Sequence, residues 1–229
     1  MKTAVITGGS GAIGSALVAE FSLDHRVVFT YFKSRSRAEQ IAAKCGAEAL
    51  YCDITSESDI KNLCSKIDSC DLLVNNAGIS SIGLFTDMSG NAVGDVINTD
   101  LVGAMLVTKA ILPYMINRKS GCIINISSIW GIYGASCEVA YSAAKAGIIG
   151  FTKALAREVG PSGVRVNCIA PGIIESEMNS HLSADEIKEF VNGTALCRIG
   201  RPSEVAHAAR YLVQADFVTG QVLGVDGGV

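Results

Sequence analysis

Short, continuous apolar runs alternate with longer amphipathic runs along the whole chain, and this alternation restricts the possible folds more than any other feature. Most of the apolar runs carry no polar alternation, which is typical of strands buried on both faces of a parallel sheet. We therefore predict strands at 4–7, 26–31, 47–52, 71–75, 122–127, 164–170 and 221–225.

Helical patterns fill the intervals between these strands, at 12–23, 35–45, 56–67, 89–118, 138–160 and 203–214. Such regular alternation predicts an α/β fold, a doubly wound parallel sheet flanked by helices and joined by right-handed crossovers. A chain of 229 residues with 49% hydrophobic content can bury one such core, so we predict a single domain over 1–229. The more polar, helical stretch at about 173–201 is a candidate lid.

Charge and composition argue against several classes of partner. The net charge is -3 and the Lys and Arg residues are scattered, so we expect no nucleic acid partner. No uninterrupted apolar stretch approaches the roughly 18 residues of a membrane span, so we expect a cytoplasmic protein without a membrane partner. The eight cysteines form no C-x-x-C pair and the three histidines lie far apart, so we expect reduced thiols and no metal site.

A glycine-rich turn follows the first predicted strand and opens a helix, in the run Thr7-Gly8-Gly9-Ser10-Gly11-Ala12-Ile13-Gly14. Glycines there let the backbone approach a pyrophosphate, whose charge the helix N-terminus favours. The alternative is an ordinary turn between a strand and a helix.

Two further predicted strands end in polar residues that we expect at the same edge of the sheet. Asp53 closes the third strand, and Asn75-Asn76-Ala77-Gly78 closes the fourth. Asp53 has a second interpretation as a helix N-cap, and the asparagines have one as turn residues.

Tyr141 and Lys145 are four residues apart in a predicted helix and so share one helix face. A positive charge about 4 Å from a phenol is worth roughly 4 kcal/mol at an effective dielectric constant near 20. We therefore expect Lys145 to lower the Tyr141 pKa by as much as about three units and make it an acid near neutrality. The spacing alone is also that of an ordinary helix-surface pair.

Together these motifs resemble the short-chain dehydrogenase/reductase family over practically the whole chain. Ser128, Pro171-Gly172 and the ending Thr219-Gly220-Gln221 with Val225-Asp226-Gly227-Gly228 extend the match. The resemblance implies a Rossmann-type domain with seven strands, a nicotinamide cofactor and a homo-oligomer, usually a tetramer. Its nearest branch is that of the 3-oxoacyl-acyl-carrier-protein reductases.

The resemblance also implies roles for individual residues. In carbonyl reduction Tyr141 would donate the proton and Ser128 would stabilise the developing alkoxide, while Lys145 would act on Tyr141 and hold the nicotinamide ribose. Ser128 has an alternative role as a cap. The implied cofactor-binding residues are Gly8, Ser10, Gly11, Ala12, Ile13, Gly14, Tyr31, Lys33, Ser34, Arg35, Asp53, Ile54, Asn75, Ala77, Gly78, Tyr141, Lys145, Pro171, Gly172, Ile174 and Ser176.

The chain departs from the family pattern at two positions. Ala12 replaces the middle glycine of the phosphate turn, and one methyl there still keeps the helix start close to the sheet. Asp100 occupies the position of the family's catalytic Asn, which holds a water of the proton relay through its backbone carbonyl. Asp100 can still supply that carbonyl.

The residue at the end of the second strand indicates whether the cofactor is NAD(H) or NADP(H). An acid there would accept hydrogen bonds from the adenosine ribose hydroxyls of NAD(H). Tyr31 stands there, followed by Lys33, Ser34 and Arg35, so we predict NADP(H) in preference to NAD(H). The alternative is a solvated basic loop.

The substrate is predicted to be a ketone, carried on an acyl carrier protein or on another protein. Arg118 and Lys119 are candidates for a basic patch that receives an acidic carrier protein. The segment from Ser128 to Tyr141 is also similar to reductases of the aminopentanone group on elongation factor P. In that hypothesis Trp130 lines the pocket and Glu138 favours a cationic substrate, whereas a helix N-terminal acid is the alternative for Glu138.

Two hypotheses concern the protein as a whole. A nucleotide-binding regulator that has lost its chemistry is the alternative to an enzyme. A homo-oligomer is further indicated by helices 89–118 and 138–160, which carry more apolar residues than we expect one sheet face to bury. These residues are Ile111, Leu112, Met115, Ile148, Ile149, Phe151 and Leu155.

Overall fold

The structure, a computed structural model, describes residues 1–177 and 183–229. Seven parallel strands form one sheet in the order β3-β2-β1-β4-β5-β6-β7. The strands are β1 Lys2–Ile6, β2 His25–Tyr31, β3 Glu48–Tyr51, β4 Leu72–Asn75, β5 Gly121–Ile126, β6 Val164–Pro171 and β7 Val222–Val225.

The helices lie in the crossovers between the strands, as the alternating pattern predicts. They are α1 Ala12–Phe21, α2 Arg35–Cys45, α3 Glu57–Cys64, α4 Gly90–Ile97, α5 Ala104–Arg118, α6 Trp130–Tyr133, α7 Val139–Val159, α8 Ala184–Asn192 and α9 Pro202–Gln214. Short 3-10 turns occupy Phe85–Asp87 and Gly160–Ser162. The predicted doubly wound α/β fold is therefore confirmed.

The sheet is buried on both faces, which explains why its strands are continuously apolar. Ile6 and Val74 pack into one core with α1 and α9. Val5 and Leu73 point the other way, into a second core with α3, α5 and α7. Neighbouring strand residues thus serve opposite faces, and each needs an apolar side chain.

The chain order reverses between β1 and β4, because β1 pairs with β2 on one side and with β4 on the other. In open α/β sheets a crevice forms beyond the carboxyl ends of the strands at such a reversal. The glycine-rich turn after β1 and the Asn76–Gly78 segment after β4 both lie at this crevice.

The predicted helix at 89–118 is continuous in the structure but changes its type in the middle. A π-helical turn, Asn98–Gly103, separates α4 from α5, and it carries Asp100. Such turns are frequent at functional sites. Gly103 at its end lies against Ile54, whose side-chain carbons would be 2.8 Å from a Cβ at that position.

By length and composition the continuous helical segment Gly90–Arg118 could cross a membrane. In the fold one side of it covers the sheet, since Val107, Ile111 and Met115 are fully buried there. This burial also corrects the sequence argument for an oligomer. Ile111, Met115, Ile148 and Leu155 are buried within the chain itself, because two sheet faces and the neighbouring helices share them, and the remaining three are only partly buried.

The stretch predicted as a lid contains α8, which begins with a capping box between Ser183 and Glu186. Residues 178–182 of that stretch lie outside the described residues. The lid therefore stays a prediction.

Candidate active site

A cavity of about 1580 Å³ extends along the carboxyl edge of the sheet. It begins at the glycine-rich turn and reaches Ser128, Tyr141 and Lys145. Every predicted cofactor-binding residue lines it except Asn75 and Arg35, and so do Asp100, Trp130 and Glu138. The fold thus gathers residues from distant parts of the sequence into one cleft.

At two positions of the glycine-rich turn, neighbouring backbone atoms leave no room for a side chain. Gly8 has a φ of +66°, and a Cβ on it would lie 2.8 Å from the Cα of Ala77. A Cβ on Gly14 would lie 2.2 Å from the Gly8 carbonyl oxygen. The Asn76 side-chain amide donates hydrogen bonds to the Thr7 and Gly8 carbonyl oxygens, 3.0 and 3.1 Å away, and so fixes the turn.

The residues at this end of the cavity fit a dinucleotide. Helix α1 begins at Ala12, and its N-cap residue Gly11 has no side chain to satisfy the first N–H groups. These donors lie at the cavity wall, where a pyrophosphate would satisfy them.

The assignment of Asn75 to the cofactor site is wrong. Asn75 is buried, and its amide nitrogen donates to Thr108 Oγ1 and to Asn125 Oδ1, both at 2.8 Å. Asn76 lines the cavity instead. The predicted strand and β4 both end at Asn75, and the packing of that strand end against Thr108 and Asn125 decides which asparagine turns inward.

The assignment of Arg35 is also wrong. Its guanidinium donates to Glu39 at 2.8 Å, and the side chain is 77% exposed outside the cavity. Arg37 lines the cavity and is paired with Glu177 at 2.6 Å. Helix α2 begins at Arg35, and two residues of helix turn the side chain to nearly the opposite side.

The predicted catalytic residues meet at the other end of the cavity. Ser128 follows β5, while Tyr141 and Lys145 stand one turn apart on α7. The Lys145 Nζ lies 5.3 Å from the centroid of the Tyr141 ring and donates to the Ile126 carbonyl oxygen at 3.3 Å. The Ser128 Oγ accepts a hydrogen bond from the Trp130 N–H at 3.1 Å, which holds the hydroxyl at the cavity wall.

Asp100 forms a buried ion pair with Lys145. Its Oδ2 lies 3.0 Å from the Lys145 Nζ, and the two side chains are 0% and 5% exposed. Its Oδ1 accepts a hydrogen bond from the Ile79 N–H at 2.7 Å. A Cβ on Gly78 would lie 2.7 Å from Asp100 Oδ2, so glycine is what leaves room for the pair.

Burial first, and then the charge of Asp100, oppose the expected acidity of Tyr141. Burial makes the largest contribution and raises the pKa of the phenol. The Lys145 charge and a hydrogen bond with Ser128 lower this pKa, whereas the charges of Asp100 and Glu138 raise it. The net pKa of Tyr141 lies above the ordinary value. The sequence argument for a lowered pKa counted the Lys145 charge alone and left out burial, which is the largest contribution, and the opposing Asp100 charge. Burial lowers the Lys145 pKa, but the Asp100 and Tyr141 charges raise it more, so the ammonium stays charged.

The predicted substrate residues lie beyond the catalytic end. The Trp130 ring is 5.8 Å from the Phe190 ring, centroid to centroid, and both line the main cavity and an adjoining one of about 550 Å³. Phe190 belongs to α8, and none of the sequence motifs includes this residue. Glu138 precedes α7, and its carboxylate accepts from Ser80 Oγ at 3.5 Å.

The predicted carrier patch lies at the wrong edge of the sheet. Arg118 ends α5 and pairs with Asp71, the residue before β4. Because α5 runs antiparallel to the strands, its last residues reach the amino edge, opposite the cavity. Arg118 and Lys119 therefore cannot serve a partner docked at the cavity mouth.

Comparison with known proteins agrees with this geometry. The family described as Enoyl-(Acyl carrier protein) reductase matches residues 9–229. The chain is 39% identical to the 3-oxoacyl-[acyl-carrier-protein] reductase FabG of Chlamydia trachomatis, with 100% of this chain and 97% of the relative covered. It is 37% identical to the Uncharacterized oxidoreductase YmfI of Bacillus subtilis, with 99% and 98% covered.

Among solved structures, a presumed gluconate dehydrogenase from Agrobacterium tumefaciens superposes with a TM-score of 0.95. The match covers 99% of this chain and 94% of the other, at 30% identity. The fold, the order of the motifs and these full-length similarities agree, and the chain belongs to the short-chain dehydrogenase/reductase family of oxidoreductases.

Proposed function

We propose that this protein is an NADPH-dependent ketone reductase similar to the 3-oxoacyl-acyl-carrier-protein reductases. The observation that carries the proposal is the single cavity with a dinucleotide turn at one end and Ser128, Tyr141 and Lys145 at the other. A ketone between the two ends would have a hydride donor on one side and a proton donor on the other.

The chemistry can be assigned to named atoms. A bound, reduced nicotinamide supplies a hydride to the carbonyl carbon. The Tyr141 phenol donates its proton to the carbonyl oxygen, and its raised pKa means that the phenol carries that proton at neutral pH. The Ser128 hydroxyl donates a hydrogen bond to the same oxygen as charge develops there. The Lys145 ammonium lies beside the ring and would also hold the ribose hydroxyls of the cofactor.

Preference for NADP(H) is supported by the residues at the adenosine end. Tyr31 ends β2 where an acid would exclude a 2′-phosphate, and Lys33, Ser34 and Arg37 line the cavity beside it. The Arg37 guanidinium already pairs with one anionic group, the Glu177 carboxylate. A 2′-phosphate would take the place of that carboxylate.

A 3-oxoacyl thioester is the first substrate candidate, because several full-length relatives are named 3-oxoacyl-[acyl-carrier-protein] reductases. The proton acceptor in such a substrate is an oxygen, which suits the pair of hydroxyl donors. We further propose a homotetramer, as the family resemblance implies, which acts without nucleic acid or membrane partners.

An amino ketone is the second candidate, and the charges of the cavity favour it. In the part of the chain that the structure describes, the bases lining the main cavity are Lys33 and Arg37 at the adenosine end and Lys145, which Asp100 neutralises. Glu138 and Glu186 line the catalytic half. These carboxylates would attract an ammonium-bearing ketone, such as an aminopentanone carried on elongation factor P, and repel an acidic carrier protein.

A turnover screen tests these proposals. NADPH oxidation should be measured with acetoacetyl thioester, with a neutral ketone and with its amino-substituted analogue, and an unsaturated acyl thioester serves as the control for carbon-carbon double-bond reduction. Turnover of the ketones without the unsaturated thioester is the expected result. NADPH binding without turnover of any ketone would instead favour the nucleotide-binding regulator.

A further inference from the structure

We propose that Asp100 is a positioning residue that neutralises Lys145 and thereby raises the pH above which Tyr141 ceases to be the proton donor. This inference rests on the proposed function in one respect, the role of Tyr141 as the donor. The charge of Asp100 beside Lys145 is not part of the motif formed by Tyr141 and Lys145.

The geometry makes Asp100 a fixed partner of Lys145. Its Oδ2 lies 3.0 Å from the ammonium nitrogen as an ion pair, and its Oδ1 accepts a hydrogen bond from the Ile79 N–H at 2.7 Å, so each oxygen faces one fixed group. The residues come from separate elements, because Asp100 lies in the π-helical turn and Lys145 on α7. With both side chains almost fully buried, solvent screens the pair weakly.

The other groups near Tyr141 leave this role to Asp100. Glu138 precedes the same helix, and its charge raises the phenol pKa by a smaller contribution than that of Asp100. Cys168, on β6, faces Lys145, and burial raises its pKa to about 11, so the thiol is neutral at physiological pH. Ser128 contributes a hydrogen bond without a charge. Asp100 is thus the main negative charge that opposes Lys145.

The direction of the effect follows from charge balance. A lone ammonium beside the phenol favours the phenolate, whereas an ammonium paired with a carboxylate favours it much less. With Asp100 in place, the protonated donor persists from neutral into alkaline pH, and carbonyl reduction persists with it. Oxidation of the alcohol needs the phenolate as base, so it begins at higher pH. The pH limit for reduction and the pH limit for oxidation move together, because the pKa of the same phenol sets both.

Asp100→Asn isolates the charge. The amide oxygen can still accept from the Ile79 N–H, while the negative charge beside Lys145 is lost. The alkaline limit of kcat/KM for reduction should move toward lower pH by about one unit or more, since a nearby buried charge is worth at least that much. Asp100→Glu, which keeps the charge, should restore most of the wild-type profile, and Glu57→Gln, on the surface of α3, should leave it unchanged.

A second readout needs neither cofactor nor substrate. The phenolate absorbance of Tyr141 is obtained as the difference between each protein and its Tyr141→Phe counterpart during a pH titration. The Tyr141 titration should move toward lower pH in Asp100→Asn. This measurement separates the two proposals, because it can succeed even if no ketone is turned over. Should Asp100→Asn fail to fold, Asp100→Ser removes the same charge and is titrated in the same way.

An unchanged Tyr141 titration in a folded neutral variant would overturn the inference. So would an Asp100→Glu variant that behaves like Asp100→Asn, because shape rather than charge would then be responsible. A fall in kcat/KM that is equal at every pH would also count against it and would indicate a purely structural contact.

Discussion

Arg37, rather than Arg35, should determine the preference for NADPH. The two arginines are two residues apart on α2, yet only Arg37 lines the cavity. Replacing Arg37 with Ala should therefore weaken NADPH binding and leave NADH binding nearly unchanged, because only NADPH carries the 2′-phosphate. Arg35→Ala is the matched control, since it removes the same charge from the same helix.

The magnitude follows from the contacts. A hydrogen bond between a guanidinium and a phosphate contributes roughly 1.5–3 kcal/mol. Binding must displace Glu177, and that pair is largely exposed, with side chains 38% and 86% accessible, so it contributes only about 0.2–1 kcal/mol. The difference is about 1–2 kcal/mol, or roughly 5- to 30-fold in Kd. Glu177→Gln should tighten NADPH binding by up to about fivefold.

The assay is a fluorescence titration of each variant with NADPH and NADH, which reports Kd without a substrate. Equal losses in Arg35→Ala and Arg37→Ala would refute the geometric argument, because a general charge effect would explain them. Equal losses for NADPH and NADH in Arg37→Ala would refute the assignment of the 2′-phosphate to Arg37.

Four further predictions follow. Tyr141→Phe should lower kcat by about 100-fold or more and leave NADPH affinity unchanged, as stopped-flow kinetics and titration can establish, because the ring remains and the proton is lost. Lys145→Ala should lower turnover and cofactor affinity and reduce the free energy of unfolding by about 3–5 kcal/mol in denaturant titration, because Asp100 is left buried without its partner. Glu138→Gln should raise KM roughly tenfold for an amino ketone and leave KM for acetoacetyl thioester unaffected, and equal effects on both would point to a structural role instead. Light scattering at micromolar concentration should give a tetramer, and a monomeric mass would contradict the proposed assembly.

Much of the fold was predictable from local patterns. Strands buried on both faces must be continuously apolar, and seven such runs separated by helical periods leave few alternatives to a doubly wound sheet. The glycine-rich turn was also predictable from a local pattern. The close approach of Gly14 to the Gly8 carbonyl oxygen excludes a side chain, so the sequence must have glycine there. The spacing of Tyr141 and Lys145 on one helix is likewise a local property.

The errors concern which neighbour reaches the cleft. Asn75 and Asn76 differ only in which side of the strand end they occupy, and Arg35 and Arg37 differ only in their rotation about α2. The predicted strand end at 75 and helix start at 35 agree with β4 and α2, so the elements themselves were predicted correctly. The direction of each side chain relative to the cavity depends on the tertiary structure.

The sequence by itself determined the sheet, the phosphate turn and the presence of a phenol beside an ammonium, because each depends on residues close together in the chain. The tertiary structure alone decided how acidic that phenol is. Asp100 lies 45 residues before Lys145 in sequence, and only the packing of the π-helical turn against α7 brings its carboxylate to 3.0 Å from the ammonium. Burial and long-range charge pairing set the proton affinity of Tyr141, and both depend on the folded arrangement rather than on local spacing.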